Sequence, residues 1–137
     1  MNHIRHAAVA LLLGVAASIP GPIRAQPSQG QAAETITVRL SNFAFTPKQL
    51  QLRVGVPVHL HLVNDSGGGH SFSAPAFFAA STYQSGVSPR EGTIQVAGGG
   101  SVDITLVPRA AGTYKLECTH FLHSGFGMTG TIVVAGS

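Results

Sequence analysis

The amino-acid sequence predicts an all-β protein: a two-sheet antiparallel Greek-key β-sandwich of about seven or eight strands. Three observations predict this fold class. Apolar and polar residues alternate over runs of four to seven residues, glycine and proline separate these runs, and no segment has a long helical period. Alternation with a period of two places the apolar side chains on one face of a strand, as expected for strands that are buried on one side.

The predicted strands follow one another at short intervals along the chain. In VHLHLV, for example, Val58, Leu60 and Leu62 share one face. In chain order the strands are TITVRL, QLQLRV, VHLHLV, TIQV, SVDITLV, TYKLEC and TGTIVV. The segment PAFFAAS could form one or two helical turns. A single domain accommodates all of these elements.

The N-terminal residues have the layout of a secretory signal peptide. A short polar start containing Arg5 precedes the apolar run AAVALLLGVAASI, and Ala25 offers the preferred cleavage site, with Ala17 as the alternative. The run is too short for a permanent membrane anchor, which needs roughly 20 residues. We therefore expect a signal peptide over residues 1–25, a flexible segment over 26–33, and one domain over 34–137 of a protein exported to the periplasm.

The charge balance argues against a nucleic-acid partner. The chain has 8 Lys and Arg residues and 5 Asp and Glu residues. Removal of residues 1–25 takes away Arg5 and Arg24, so the balance becomes 8 − 2 − 5 = +1. No basic stripe remains that could follow a phosphate backbone. We expect a monomer that binds no nucleic acid.

The stretch ECTHFLHSGFGMTG contains the only cysteine of the chain, Cys118, followed by His120, His123 and Met128. In an oxidising compartment a lone thiol needs protection by burial, by a metal or by an intermolecular disulfide. A thiolate, an imidazole and a thioether together suit copper best. Electron-transfer copper sites combine two His and one Cys with a weak axial Met, so a second His must come from elsewhere.

The sequence resembles the cupredoxins, the blue copper proteins of the plastocyanin, pseudoazurin and azurin type. The pattern Y-x3-C-x4-H-x4-M-x-G-x-I-V-V, which begins at Tyr114, resembles their C-terminal signature. NFAFTPKQLQLRVGVPVHLHLVND resembles the strands of their first half, and GGGHSF resembles the loop that delivers their first copper histidine. The resemblance implies a cupredoxin-like fold and one type 1 copper per chain, bound by four residues: His70, Cys118, His123 and Met128.

The family's spacing selects His123 rather than His120 as the second histidine ligand. His123 gives the family's intervals to Cys118 and Met128, whereas His120 lies too close to Cys118 for both to reach one ion comfortably.

Two departures from the family concern the surroundings of the copper. The loop lacks the proline that often precedes the second histidine. Ser71 stands where many relatives have Asn, although its backbone N–H should still approach the thiolate. The resemblance therefore leaves the potential and the blue character open.

His59 and His61 point away from the apolar face of their strand. Two histidines at this spacing could bind a surface metal ion, but a solvated outer face explains them as well. We favour the solvated face.

A closed set of four protein donors leaves no position for a substrate, which favours electron transfer over catalysis. We expect a protein that is not an enzyme and that shuttles single electrons. Its redox partners would dock on an apolar patch of Phe121, Leu122 and Phe126. A copper carrier that delivers the ion to a cuproenzyme is the main alternative. A thiol enzyme is less well supported, because no orienting acid or oxyanion hole accompanies Cys118.

Overall fold

The computed structural model describes residues 31–120 and 125–136. The predicted signal peptide, residues 26–30 of the predicted flexible segment, and the predicted residues Phe121, Leu122 and His123 lie outside the described residues. No helix in the described part is long and apolar enough to cross a membrane.

The described residues form ten strands and one short helix. In chain order they are β1 (Glu34–Ser41), β2 (Ala44–Thr46), β3 (Gln49–Arg53), β4 (Val58–Asn64), β5 (His70–Ser73), α1 (Pro75–Ala79), β6 (Ser81–Gly86), β7 (Thr93–Val96), β8 (Ser101–Pro108), β9 (Gly112–Glu117) and β10 (Thr129–Ala135). All seven strands predicted from alternation are present, and the helical turn lies within PAFFAAS. The predicted all-β fold class is confirmed.

Three strands were not predicted, and each lacks an alternating pattern. β2 has three residues, too few to show a period. All four residues of β5 are buried, whereas nearly all of β6 is exposed. Alternation of apolar and polar residues identifies a strand with one solvent-exposed face and one buried face. It does not identify a strand whose two faces are similar.

The strands form two five-stranded sheets, with orders β2-β1-β4-β8-β6 and β3-β10-β9-β5-β7. Most neighbours are antiparallel, but β1 pairs with β4, and β10 with β3, in parallel. The apolar faces of the two sheets meet in one core, in which Leu40 and Leu60 of the first sheet and Leu116 and Ile132 of the second are fully buried. The second sheet contains β5, β9 and β10, the strands that carry or flank the predicted ligands.

Two neighbour relations in the second sheet position the candidate site. β9 and β10 form an antiparallel pair in which Glu117 lies opposite Thr129. β5 lies on the other side of β9, where Ser73 pairs with Glu117. Because this pair is antiparallel, the segment that follows Glu117 runs beside the start of β5, at the same end of the sandwich as the start of β10.

Candidate metal centre

Cys118 directly follows β9 and continues its alternation, so its side chain points into the core as that of Leu116 does. The thiol is completely buried. The backbone N–H of Cys118 donates to the carbonyl oxygen of Met128 at 3.1 Å. This bond closes the base of the loop between Cys118 and Met128, and Met128 is also completely buried.

The buried side chain of Asn64 organises the glycine-rich loop that leads to His70. Its Nδ2 donates to the carbonyl oxygens of Gly68 at 2.8 Å and Val96 at 3.0 Å. Its Oδ1 accepts from the backbone N–H and from the hydroxyl of Ser66. Asn64 thereby ties the end of β4, the glycine loop and the end of β7 together, which fixes the point where His70 begins β5.

His70 and Cys118 face each other inside the protein. His70 Nδ1 lies 3.8 Å from Cys118 Sγ, and both side chains are buried. Metal–sulfur and metal–nitrogen bonds of about 2.3 and 2.0 Å, meeting at about 120°, would place two such donors about 3.7 Å apart. The observed separation therefore fits two ligands of one metal ion, with Nδ1 as the donor of His70.

Ser71 contacts the Cys118 sulfur and also holds the segment that follows it. The backbone N–H of Ser71 lies 3.4 Å from Sγ, as the family resemblance implies, and its hydroxyl lies 3.7 Å from the same atom. The Ser71 hydroxyl also accepts from the backbone N–H of Thr119 at 2.8 Å and pairs with the Thr119 hydroxyl at 2.9 Å. Hydrogen-bond donors near a ligand sulfur influence its electron density and hence the potential of a bound metal.

The structure brings together three of the four predicted ligand residues at one end of the sandwich: His70, Cys118 and Met128. His123 lies outside the described residues. In the described part, no group of three or more His, Cys, Asp or Glu side chains is arranged to hold a metal ion. Two donors of those types face each other here, and a thioether of Met128 and an imidazole of His123 are the types that would complete a copper site.

His120 packs against the segment that carries His70. Its Nε2 lies 3.0 Å from Gln95 Oε1, and its ring centroid lies 6.4 Å from that of His70. A Cβ atom at Gly69 would approach His120 Cε1 to 3.2 Å. The absence of a side chain at Gly69 is therefore what lets the imidazole lie so close to this backbone.

His59 and His61 lie half-buried on the outer face of β4, as favoured from the sequence, and share one carboxylate. Asp103 Oδ1 lies 2.7 Å from His61 Nδ1 and 3.0 Å from His59 Nε2. The hydrogen bond from His61 is the largest cause that lowers the pKa of Asp103 below its ordinary value of 3.8. Burial opposes it, and the charges of both imidazoles and the hydrogen bond from His59 lower the pKa further. Asp103 on the neighbouring strand β8 therefore accounts for the placement of both histidines without a metal ion.

An aromatic pair lies exposed next to the loop of Met128. The rings of Phe43 and Phe126 have centroids 5.2 Å apart, and both side chains are largely exposed. Phe43 has a φ of 63°, in the left-handed region that aromatic residues rarely adopt. The sequence analysis singled out Phe126 but not Phe43, which lies in the turn between β1 and β2.

Four residues of this end of the molecule were missed by the sequence analysis: Asn64, Gln95, Thr119 and Phe43. A polar Asn at the end of an apolar strand, directly before a glycine-rich loop, is a signal that could have been read from the sequence. Gln95 and Thr119 give no such signal, because each acts through a partner from a distant part of the chain.

Comparison with known proteins agrees with the observed fold. The family model of the cupredoxin-like domain matches residues 7–134. Among solved structures, a dithionite-reduced auracyanin from Roseiflexus castenholzii is 22% identical, with a TM-score of 0.58 over 76% of this chain and 98% of that one. Auracyanin B is 26% identical, with a TM-score of 0.57 over 82% and 93% of the two chains.

A larger enzyme contains the same fold. The multicopper oxidase McoA from Aquifex aeolicus is 16% identical, with a TM-score of 0.61 over 81% of this chain but only 31% of the oxidase. At this identity the likeness shows the fold alone. A comparison with curated protein sequences gives no match.

The family model covers nearly the whole chain, and its fold is the one observed. The buried His70–Cys118 pair is, moreover, a donor set suited to the copper that the family implies. The chain belongs to the cupredoxin-like domain family.

Proposed function

We propose that this protein is an exported type 1 copper protein that binds one copper ion and shuttles single electrons between redox partners. The observation that carries the proposal is the 3.8 Å separation of His70 Nδ1 and Cys118 Sγ in a buried site. In this proposal Met128 and His123 complete the ligand set. When bound, copper supplies the one-electron couple Cu(II)/Cu(I).

The protein's own residues contribute rigidity and a dry environment. Cys118 and Met128 are fully buried and His70 nearly so, which limits the access of water and of exchanging ligands. Ser71 offers two donors toward the thiolate, which disperse its negative charge and favour the reduced state. Donors that are fixed before a metal arrives change little in position when an electron is gained or lost, and this favours fast transfer.

Burial of the donors also supports electron transfer over the alternative, delivery of copper to a cuproenzyme. A carrier needs ligands that an acceptor protein can reach and displace. A multicopper oxidase shares the fold, but a closed set of four protein ligands offers no position for a substrate. We therefore propose an electron carrier rather than an enzyme.

The proposed docking surface is an apolar patch around the ligand loop. Phe121, Leu122 and Phe126 belong to it, and the contact between Phe126 and Phe43 adds the turn between β1 and β2. The net charge of about +1 expected after removal of residues 1–25 favours brief docking by apolar contact over strong electrostatic steering. Export by the signal peptide would place the protein, as a monomer, in the periplasm.

Titration of the metal-free protein with Cu(II), followed by visible absorption, tests the proposal. We expect one copper per chain and an intense thiolate-to-copper band. Cys118→Ser and His123→Ala should both lose the band, whereas His59→Ala on the outer face of β4 should keep it. Persistence of the band in Cys118→Ser would contradict the assignment of Cys118 as the thiolate ligand of copper. Rapid loss of copper from the wild type to a weak chelator would instead favour the carrier.

A further inference from the structure

We infer that Gln95 and His120 form a clamp that fixes the start of the ligand loop onto β5 and β7, so that His120 is a positioning residue and not a ligand. The inference rests on the proposed function and deepens it, since it names the contacts that hold the start of the ligand loop in place. Its contacts lie in the described part of the chain.

The first part of the clamp is the contact of His120 with β7. His120 Nε2 lies 3.0 Å from Gln95 Oε1. An amide oxygen only accepts hydrogen bonds, so Nε2 carries the proton and donates it. The hydrogen bond therefore fixes the orientation of the imidazole against β7. His120 also follows Cys118 after a single residue, a spacing too short for both side chains to reach one metal ion comfortably.

The second part is the contact of the preceding residue with β5. Thr119 donates its backbone N–H to the Ser71 hydroxyl at 2.8 Å. Ser71 and Gln95 are directly opposite each other in the β5–β7 pair. Two consecutive residues after Cys118 are thus held by two residues that face each other across neighbouring strands.

The third part is packing. The imidazole of His120 lies against Gly69, the residue before His70, so closely that a Cβ there would come within 3.2 Å of Cε1. The clamp therefore links the segment after Cys118 to the segment before His70. Loosening it should let the two ligand-bearing segments move apart more often, although both ligands remain present.

Gln95→Leu and His120→Phe test the clamp, because each removes one partner of the hydrogen bond. Both variants should keep the thiolate-to-copper band. Both should lose copper to the Cu(I) chelator bicinchoninate about 3- to 10-fold faster than the wild type, as expected for one lost hydrogen bond. The double variant should lose copper no faster than either single one.

Two controls isolate the hydrogen bond. Gln95→Glu retains an oxygen that accepts from Nε2–H and should keep the wild-type rate. Gln51→Leu makes the same change as Gln95→Leu at an exposed position of β3 and should also leave the rate unchanged. Loss of the band in His120→Phe would show that His120 is a ligand, and wild-type rates in both clamp variants would equally overturn the inference.

Hydrogen exchange of the metal-free protein gives a readout that does not depend on copper. Gln95→Leu should speed exchange of the Thr119 amide proton about 3- to 10-fold relative to Gln51→Leu, since the Thr119 N–H is bonded to Ser71. Unchanged protection of Thr119 would contradict the clamp. If the wild type instead binds copper without a thiolate band, the proposed function fails while this measurement still decides the clamp.

Discussion

At the scale of single residues, Asp103 shows how an exposed carboxylate becomes coupled to its neighbours. It lies directly opposite His61 in the β4–β8 pair and diagonally opposite His59. Its pKa is lowered chiefly by the hydrogen bond from His61. A carboxyl whose pKa is lower in the folded state stabilises the fold above its unfolded-state pKa, and this contribution disappears as the pH falls through the folded-state value.

Asp103→Asn should therefore lower the free energy of unfolding near neutral pH, and the difference from the wild type should vanish as the pH falls well below 3.8. Urea denaturation at a series of pH values measures it. NMR titration of Asp103 should show a larger rise of its pKa in His61→Phe than in His59→Phe, because the hydrogen bond from His61 is the largest cause of the lowered pKa. Equal rises would contradict this ranking.

The types of the candidate donors could be predicted from the sequence because metal preference depends on the chemistry of each side chain. Cys118 was predicted as a strand-end thiol and is buried there. Its relation to His70 followed only from the family resemblance, since 48 positions separate them. Which imidazole nitrogen faces the sulfur, and that Ser71 also holds Thr119, depended on side-chain orientation, which a residue pattern does not encode.

At the scale of elements, the decisive contact is between two glycine-rich loops that flank the site. A Cβ at Gly98 would come within 2.2 Å of the Gly67 carbonyl oxygen. The N–H of Gly99 donates to the Ser66 carbonyl oxygen at 2.9 Å. The loop after β7 thus supports the loop that carries His70, and Gly98 is required for their close approach.

Gly98→Ala should lower the free energy of unfolding by about 1–3 kcal/mol, as expected when a side chain is forced into a packed contact. It should also weaken copper binding, because the displaced loop precedes His70. Thermal denaturation and copper titration measure the two effects.

Gly67→Ala is the matched control for this change. An added Cβ at Gly67 meets no atom within 4 Å, so its stability should differ from the wild type by less than about 0.5 kcal/mol. Equal destabilisation by the two variants would refute the role given to the contact between the loops.

At the scale of the whole molecule, the exposed aromatic pair of Phe43 and Phe126 lies next to the ligand loop of a protein with a low net charge. Phe43 keeps a left-handed backbone conformation that is unfavourable for an aromatic residue, while its ring contacts Phe126. Strained conformations of this kind concentrate at functional surfaces. The pair is therefore suited to the proposed docking of redox partners.

Electron self-exchange between the Cu(I) and Cu(II) forms tests this surface without a known partner. Phe126→Lys should slow self-exchange at low ionic strength about 10-fold or more, because two like charges then meet where apolar surfaces would touch. NMR line broadening of mixed oxidation states measures the rate.

Thr113→Lys, which adds the same charge near the start of β9 and away from the ligand loop, should change self-exchange little. If Thr113→Lys slowed it as much as Phe126→Lys, the effect would be one of total charge and the patch would lose its support.

By itself, the sequence determined the two-layer class of the fold and the types of the candidate metal donors. Both are local properties. Alternation indicates which face of a strand is buried, and the preference of sulfur and imidazole side chains for copper depends on the side chain itself. Only the tertiary structure decided which strands are neighbours, including the parallel pairing of β1 with β4. It also placed Gln95 and Thr119 beside the ligand loop and Phe43 against Phe126. These contacts join residues from distant parts of the chain, and their geometry exists only once the two sheets have closed around their common core.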